Sequence, residues 1–379
     1  MKVAIDCRSL RKTPSGIPNF LVTAINGLVK QNPEWIFYLI TNESFNKEHE
    51  RKLSISKNVN IIIRPLPILK SISFLWYIFK LPFLLKKIQP NIFWAPAFLL
   101  PPFIQNKITT LVTVHDMVFK KHKETMSFIN RLFFELLHDK SVRQADLLWV
   151  NSSYTKEEVE EFFPERSCKN IFVGFFINTD IYKKIKVSEQ EKESVLHKYC
   201  LSSKFILFVG TLEPRKNLEF LLSLMPDLVN FGYSLLVIGA KGWGNTNIKD
   251  IIEQQNFPTA SIRFAGFVST EELITIYNIA SVYVSTSYNE GFGMPQLEAM
   301  ACGCPVVSPH NSAMIEVVED AGETVKTWEN DDWIKTIIMV DANRDDYIRK
   351  GFKRVESFNR DYVIQSLSKY ILNYLSYSS

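Results

Sequence analysis

Glu290 and Glu298 bracket the segment EGFGMPQLE, which sets two carboxylates around a glycine loop where a short strand turns into a helix. The strand is read as SVYVSTS, residues 281–287. The helix is expected to open near Pro295, a residue suited to a first helical position because its missing N–H would have no partner there. The backbone N–H groups of Phe292, Gly293 and Met294 would then lie at a positive helix end, which binds anions. Gly291 and Gly293 would let a ligand approach the backbone without meeting a Cβ. Carboxylates repel phosphate but accept from hydroxyls, so Glu298 is expected on a ribose and Glu290 on a sugar. The arrangement suits a phosphorylated sugar. The alternative is plainer: Glu298 favours the helix dipole, and the glycines only make a turn.

Other strand ends carry polar groups of the same kind. KFILFVGT is followed by LEPRKNLEFLL, placing Glu213, Arg215, Lys216 and Asn217 in a turn before a helix. Two adjacent cations beside a helix N-terminus oppose its dipole unless an anion joins them. A diphosphate is the natural anion, held by Arg215 as a bidentate fork and by Lys216 as a point charge, and both would neutralise charge on a departing phosphate. A solvated basic pair is the competing reading. TTLVTVHD ends in His115 and Asp116; a neutral imidazole there could bond a substrate hydroxyl with Asp116 fixing its tautomer, or the histidine could be structural. After VAID, Ser15 and Gly16 precede a helix from about Asn19, as a plain loop or a phosphate or sugar site. No GxGxxG follows that strand, which argues against a dinucleotide. Trp243, flanked by glycines after SLLVIGA, could lie near a base or cover a domain edge.

These turns need strands to hold them. The runs VAID, WIFYLIT, VNIIIRPL, TTLVTVHD, DLLWVNSS and NIFVGF, then KFILFVGT, SLLVIGA, SIRFAGF, SVYVSTS and PVVSP, are apolar on both faces and separated by helical patterns. They read as parallel strands covered by helices, an α/β chain of two doubly wound domains with ligands at the carboxyl ends of the strands. A chain of 379 residues, 46% hydrophobic, is long enough for two cores. The polar stretch 178–193 reads as the linker. The expected division is 1–180, 181–358 and 359–379, the last a helix crossing back to the first domain.

A net charge of +4 is too small to argue for nucleic acid and compatible with phosphates or an anionic membrane. The cysteines at 7, 168, 200, 302 and 304 are odd in number and scattered, so no zinc site is read from them and reduced, cytosolic thiols are expected. MKVAIDCRSL reads as an immediate strand rather than a signal peptide. Residues 66–103 are crowded with aromatics and leucines but broken by Lys70, Lys80, Lys86, Lys87 and prolines, with no run of about 20 apolar residues that would span a membrane. That segment reads either as a buried helix or as a basic, aromatic surface lying peripherally on the inner face of a membrane.

With these pieces assembled, the second half resembles the retaining GT-B glycosyltransferases of family four, the group that includes bacterial mannosyltransferases of surface polysaccharide synthesis. The resemblance rests on GTLEPRKN, VIGAKGWG, the block from IRFAGF to CGCPVVSP, and NSAMIEVVEDAG, spanning roughly residues 210–322. In the first half it is looser, through the SGI loop, TVHD and ADLLWVNSSYTKEEV. The resemblance implies two Rossmann-like domains facing across a cleft and transfer of a hexose, mannose favoured, from GDP-mannose or a UDP-hexose to a saccharide or lipid-linked acceptor. It implies Glu298 on the donor ribose, Arg215 and Lys216 on the diphosphate, and Glu290 with Gly291–Met294 on the donor sugar. His115 would touch the sugar from the first domain, and Gly16 would let its loop approach the donor. Retention by a front-face route is implied, with no metal and no cofactor; the chain offers no Asp-x-Asp after a strand. The chain departs from its relatives at Ile177-Asn178-Thr179-Asp180 and at Pro18-Asn19 in the SGIPNF loop. A different GT-B reaction, sucrose-type synthesis or phosphorolysis, and a catalytically silent glycan-binding or partner-binding protein are the alternatives.

Overall fold

The structure is a computed structural model that describes the chain apart from residues 13–15, 66–74, 118–119, 121–136, 167–169, 241, 243–260 and 379. It divides into two compact units, Met1–Phe176 with Arg360–Ser379, and Ile177–Asn359. The reading at 180/181 therefore differs by four residues from the observed division. Trp243 and Cys168 lie outside the described residues.

The first unit is a seven-stranded sheet of β1 (Lys2–Asp6), β2 (Ile36–Thr41), β3 (Val59–Ile63), β4 (Ile92–Ala95), β5 (Thr109–Val114), β6 (Leu147–Val150) and β7 (Ile171–Val173). Their order is β3-β2-β1-β4-β5-β6-β7, and every neighbouring pair is parallel. Strand β4, whose four residues IFWA are all buried, is absent from the runs read above because its apolar residues merge with the aromatic stretch before it. Gly16 opens the helix Gly16–Gln31 rather than preceding a helix at Asn19, since Pro18 fits a first turn where no N–H is needed. The last helix, Arg360–Ser378, packs against that helix. A Cβ on Gly27 would stand 3.0 Å from Ile364, and Asn32 Nδ2 donates to Ser368 Oγ at 3.0 Å.

The second unit is a six-stranded parallel sheet of β8 (Lys204–Val209), β9 (Tyr233–Ile238), β10 (Ile262–Gly266), β11 (Val282–Val284), β12 (Val306–Pro309) and β13 (Glu323–Val325). Its order is β10-β9-β8-β11-β12-β13. Strand β9 is buried along its whole length, as a strand covered on both faces must be. β11 is shorter than the run read for it, and β13 was too short and polar to read at all. The order reverses between β8 and β11, so the chain leaves these neighbouring strands toward opposite sides and opens a crevice at their carboxyl ends.

A glycine fixes one edge of that crevice. Gly239, just past β9, has φ +154°, and a Cβ there would fall 1.9 Å from the Gly210 carbonyl oxygen. The close approach lets Gly210 N–H reach Ile238 O at 2.9 Å and Leu212 N–H reach Ala240 O at 3.0 Å, tying the turn after β8 to the loop after β9. Gly239→Ala is expected to destabilise the second unit by more than about 2 kcal/mol, since backbone must move to admit the methyl; chemical denaturation followed by circular dichroism checks this.

Candidate active site

The turn after β8 runs through a short 3-10 helix, Pro214–Lys216, into the helix Leu218–Asn230. The loop after β11 runs through Glu290 to the helix Met294–Ala301. Hydrogen bonds lock the two together: Thr286 Oγ1 donates to Lys216 O at 3.0 Å and Asn217 O at 2.9 Å, and Tyr288 N–H donates to Arg215 O at 2.9 Å. The switch point thus brings residues some 75 positions apart into one cluster.

At its centre Glu290, 9% exposed, meets Arg215 Nη1 at 2.8 Å, Lys216 Nζ, and the hydroxyl of Ser287 at 2.7 Å. Its own N–H donates to Ser312 Oγ at 3.1 Å. Arg215 also donates from Nη2 and Nε to Glu213 Oε1, at 2.6 and 3.1 Å, and from Nη1 to Asn289 O at 2.6 Å. Burial alone would raise the Glu290 pKa, but Lys216 and Arg215, with hydrogen bonds from Lys216 and Ser287, outweigh it and hold the carboxyl at about 2. It is therefore an anion at neutral pH. In this structure the anion beside the two cations is the protein's own carboxylate, because a salt link costs less than two buried cations left together. Their presence alone therefore does not separate an enzyme from a silent binder.

The glycine loop is bent tightly before its helix. Gly293 has φ +108° and precedes a helix with no side-chain cap at its start. Phe292 is buried edge-on against Phe358 at 5.5 Å, anchoring the loop, and Met294 is the first helical residue. Gln296, 1% exposed, lies against Gly293, and its amide nitrogen has no hydrogen-bond partner among the described residues. A buried donor beside a helix start was not read from the sequence; its place two residues after a helical first position was the available signal.

Glu298 lies farther along the same helix and is 7% exposed. Burial raises its pKa to about 7, against hydrogen bonds from Tyr182 and from Tyr277, whose hydroxyl lies 3.2 Å away. Tyr182 follows the Asn178 turn, where Tyr182 N–H donates to Asn178 O at 2.9 Å, so the 177–180 departure leads directly into the site. Neither tyrosine was read from the sequence, because nothing local marks a phenol aimed at a distant carboxylate.

His115 and Gly16 belong to the first unit. His115 follows β5, but its Nε2–H donates to Pro96 O at 2.8 Å and its Nδ1 accepts from the Asn151 amide at 3.1 Å. The Pro96 carbonyl, rather than Asp116, fixes the tautomer. Burial lowers the pKa to about 4, against those two bonds, so the ring is neutral at pH 7. Phe20, on the helix that Gly16 opens, and Phe98 stand edge-on to it at 5.2 and 5.3 Å. Both ring nitrogens being engaged, a hydroxyl contact would have to displace one of these partners. Among the described residues no group of three or more metal-ligating side chains gathers, and no helix is long and apolar enough to cross a membrane.

Two parallel-sheet Rossmann-like units, the second with its charged cluster at the switch point, define the GT-B class. Residues 190–350 match the family of glycosyl transferases group 1, and the chain, whose fold is that of GT-B proteins, is similar to bacterial mannosyltransferases. It is 32% identical over 243 residues to O-antigen chain mannosyltransferase B of Escherichia coli, across 63% of this chain and 62% of that protein. The chain thus spans under two thirds of that relative's length. In structure it is similar to sucrose-phosphate synthase from Thermosynechococcus elongatus, with TM-score 0.76, 16% identity and full coverage of both chains. It is also similar to Anabaena HepE in complex with UDP-glucose, with TM-score 0.71, 16% identity, and 98% and 100% of the two chains covered.

The two glutamates make opposite pH demands on the fold. Glu290, depressed from 4.5 to about 2, contributes stability above pH 4.5 that is lost as pH falls toward 2. Glu298, raised from 4.5 to about 7, keeps its proton in the native state while the unfolded chain releases it, so stability falls as pH rises from 4.5 through 7. Glu298→Gln should remove that fall, worth on the order of 3 kcal/mol; thermal midpoints at pH 5 and pH 8 should converge in the variant relative to the native protein.

Proposed function

We propose that the protein is a hexosyltransferase that moves a sugar, mannose favoured, from a nucleoside diphosphate to a saccharide or lipid-linked saccharide acceptor in polysaccharide synthesis. The observation that carries this reading is Arg215 and Lys216 meeting Glu290 at the β8–β11 switch point, directly before a glycine loop and a helix start. Fixed cations there stabilise the charge that grows on a departing diphosphate, in a site shielded from water. The N–H groups at a helix start suit the same charge. The mannosyltransferase relative supports the choice of sugar, and HepE, solved with UDP-glucose, supports the class of donor; GDP-mannose and a UDP-hexose are the two donors proposed.

Each group then has a part. Arg215 and Lys216 take the diphosphate, Glu290 a sugar hydroxyl, and Glu298 the ribose. A carboxylate has about four acceptor positions, so the tyrosines on Glu298 leave room for a ribose hydroxyl, whose donation would favour the ionised form. Transfer is proposed to proceed with retention, the leaving phosphate accepting the acceptor's proton on the same face. No step needs a metal or cofactor. His115, neutral and held by Pro96 and Asn151, is proposed as a sugar contact of the first unit only through exchange of one of those bonds, and Gly16, in the same unit, as a point of close backbone approach.

For the acceptor, the helix Leu81–Ile88 and the turn before it support a peripheral membrane contact. Phe79 and Phe83 are 64% and 61% exposed near Lys80, Lys86 and Lys87, while Trp76, Tyr77 and Leu81 are buried behind them. Exposed rings among lysines suit an anionic interface. Phe79→Ser with Phe83→Ser should reduce sedimentation with vesicles containing phosphatidylglycerol; equal sedimentation would remove this contact from the reading.

In a thermal-shift series with GDP, UDP and ADP and their sugar conjugates, one base should raise the midpoint selectively, as a ligand specific for the native state does. Lys216→Ala should cut turnover with that donor by at least about a hundredfold with circular dichroism unchanged. Undiminished turnover in the folded variant would contradict the diphosphate assignment.

A further inference from the structure

Arg215 and Lys216 are 15% and 12% exposed at their side chains, and the Glu290 carboxylate between them 11%. With Glu213 on the far side of Arg215, two cations face two carboxylates, and the cluster is neutral. A diphosphate approaching a neutral, buried cluster gains little and meets repulsion from Glu290. Its oxygens also want the same donors, Lys216 Nζ and Arg215 Nη1.

We propose that Glu290 is the resident anion of the donor site, and that a donor binds by taking its place on Lys216 and Arg215. This rests on the reading of the site as one for a diphosphate. Glu290 is the carboxylate that yields, because it bridges both cations from the loop after β11. Glu213 stays, because it holds the Nε edge of Arg215 from within the same turn and keeps the guanidinium aimed as its other edge changes partner. Glu213 is thus a positioning residue.

A choice of substrate class follows. A carboxylate tethered beside its partners competes at a high effective concentration. One phosphate group offers too few contacts to displace it, whereas a diphosphate can reach both cations at once, in the bidentate manner that favours arginine. The site therefore selects diphosphate-linked donors over monophosphates and disfavours phosphorolysis by inorganic phosphate. The displaced Glu290 is released where a sugar hydroxyl can donate to it, so binding of the phosphates arms the sugar contact.

Calorimetric titration of the full chain with inorganic pyrophosphate and with inorganic phosphate tests this, using the native protein, Glu290→Gln and Lys216→Ala, each shown to be folded by circular dichroism. Glu290→Gln should bind pyrophosphate about tenfold more tightly or better, the scale of a close charge pair, and should narrow the preference over phosphate; Lys216→Ala should weaken pyrophosphate. Unchanged or weaker binding in Glu290→Gln, with binding still dependent on Lys216, would overturn the displacement while leaving the diphosphate reading intact. Pyrophosphate binding that is absent from all three proteins or indifferent to Lys216 would overturn both. Should Glu290→Gln fail to fold, Ser287→Ala removes one bond that holds the carboxylate and should tighten pyrophosphate severalfold; no tightening there would overturn the displacement equally.

Discussion

The clasp of Glu290 by Arg215 and Lys216 is the interaction on which the account of the second unit depends. Burying two adjacent cations without an anion would be prohibitive, and burying a carboxylate without a cation equally so. Together they form a neutral group that can sit at the carboxyl edge of an apolar sheet. The same neutrality defines the chemistry, since any phosphate ligand must exchange with the protein's own anion instead of entering an empty positive pocket.

The sheet topology creates that encounter. Strands β8 and β11 are neighbours, yet their chains depart to opposite sides, so the turn carrying Arg215 and the loop carrying Glu290 face one another across the switch point. Thr286, bonded to Lys216 O and Asn217 O, fixes the distance between them. Gly239 closes the adjoining edge, because only a glycine admits the Gly210 carbonyl so near. Behind the loop, Phe292 against Phe358 and the buried Gln296 brace the helix start, while Tyr182 and Tyr277 hold Glu298 along the same helix. The two glutamates, eight positions apart in the numbering, live in opposite electrostatic settings: one is kept ionised by cations, the other brought near neutrality by burial beside phenols.

Much of the fold is legible in the sequence because buried parallel strands are apolar on both faces, and β1, β8 and β9 announce themselves in this way. β4 and β13 do not, the first lost in an aromatic stretch and the second too short and polar. The turn residues Arg215, Lys216 and Glu290 could be noticed because charge at the end of an apolar strand is out of place. Their mutual pairing could not, since it depends on which strands are neighbours. The partners of His115 were hidden for the same reason: Pro96 and Asn151 follow β4 and β6, the strands on either side of β5, and meet the ring only once the sheet is assembled. Tyr182 and Tyr277 carry no local signal at all.

The most direct test of this account is a structure of the protein with a nucleoside diphosphate bound. The account requires phosphate oxygens on Arg215 and Lys216, Glu213 still on the guanidinium, and the Glu290 carboxylate turned away from both cations. A nucleoside diphosphate bound elsewhere, with Glu290 still clasped by Arg215 and Lys216, would contradict it.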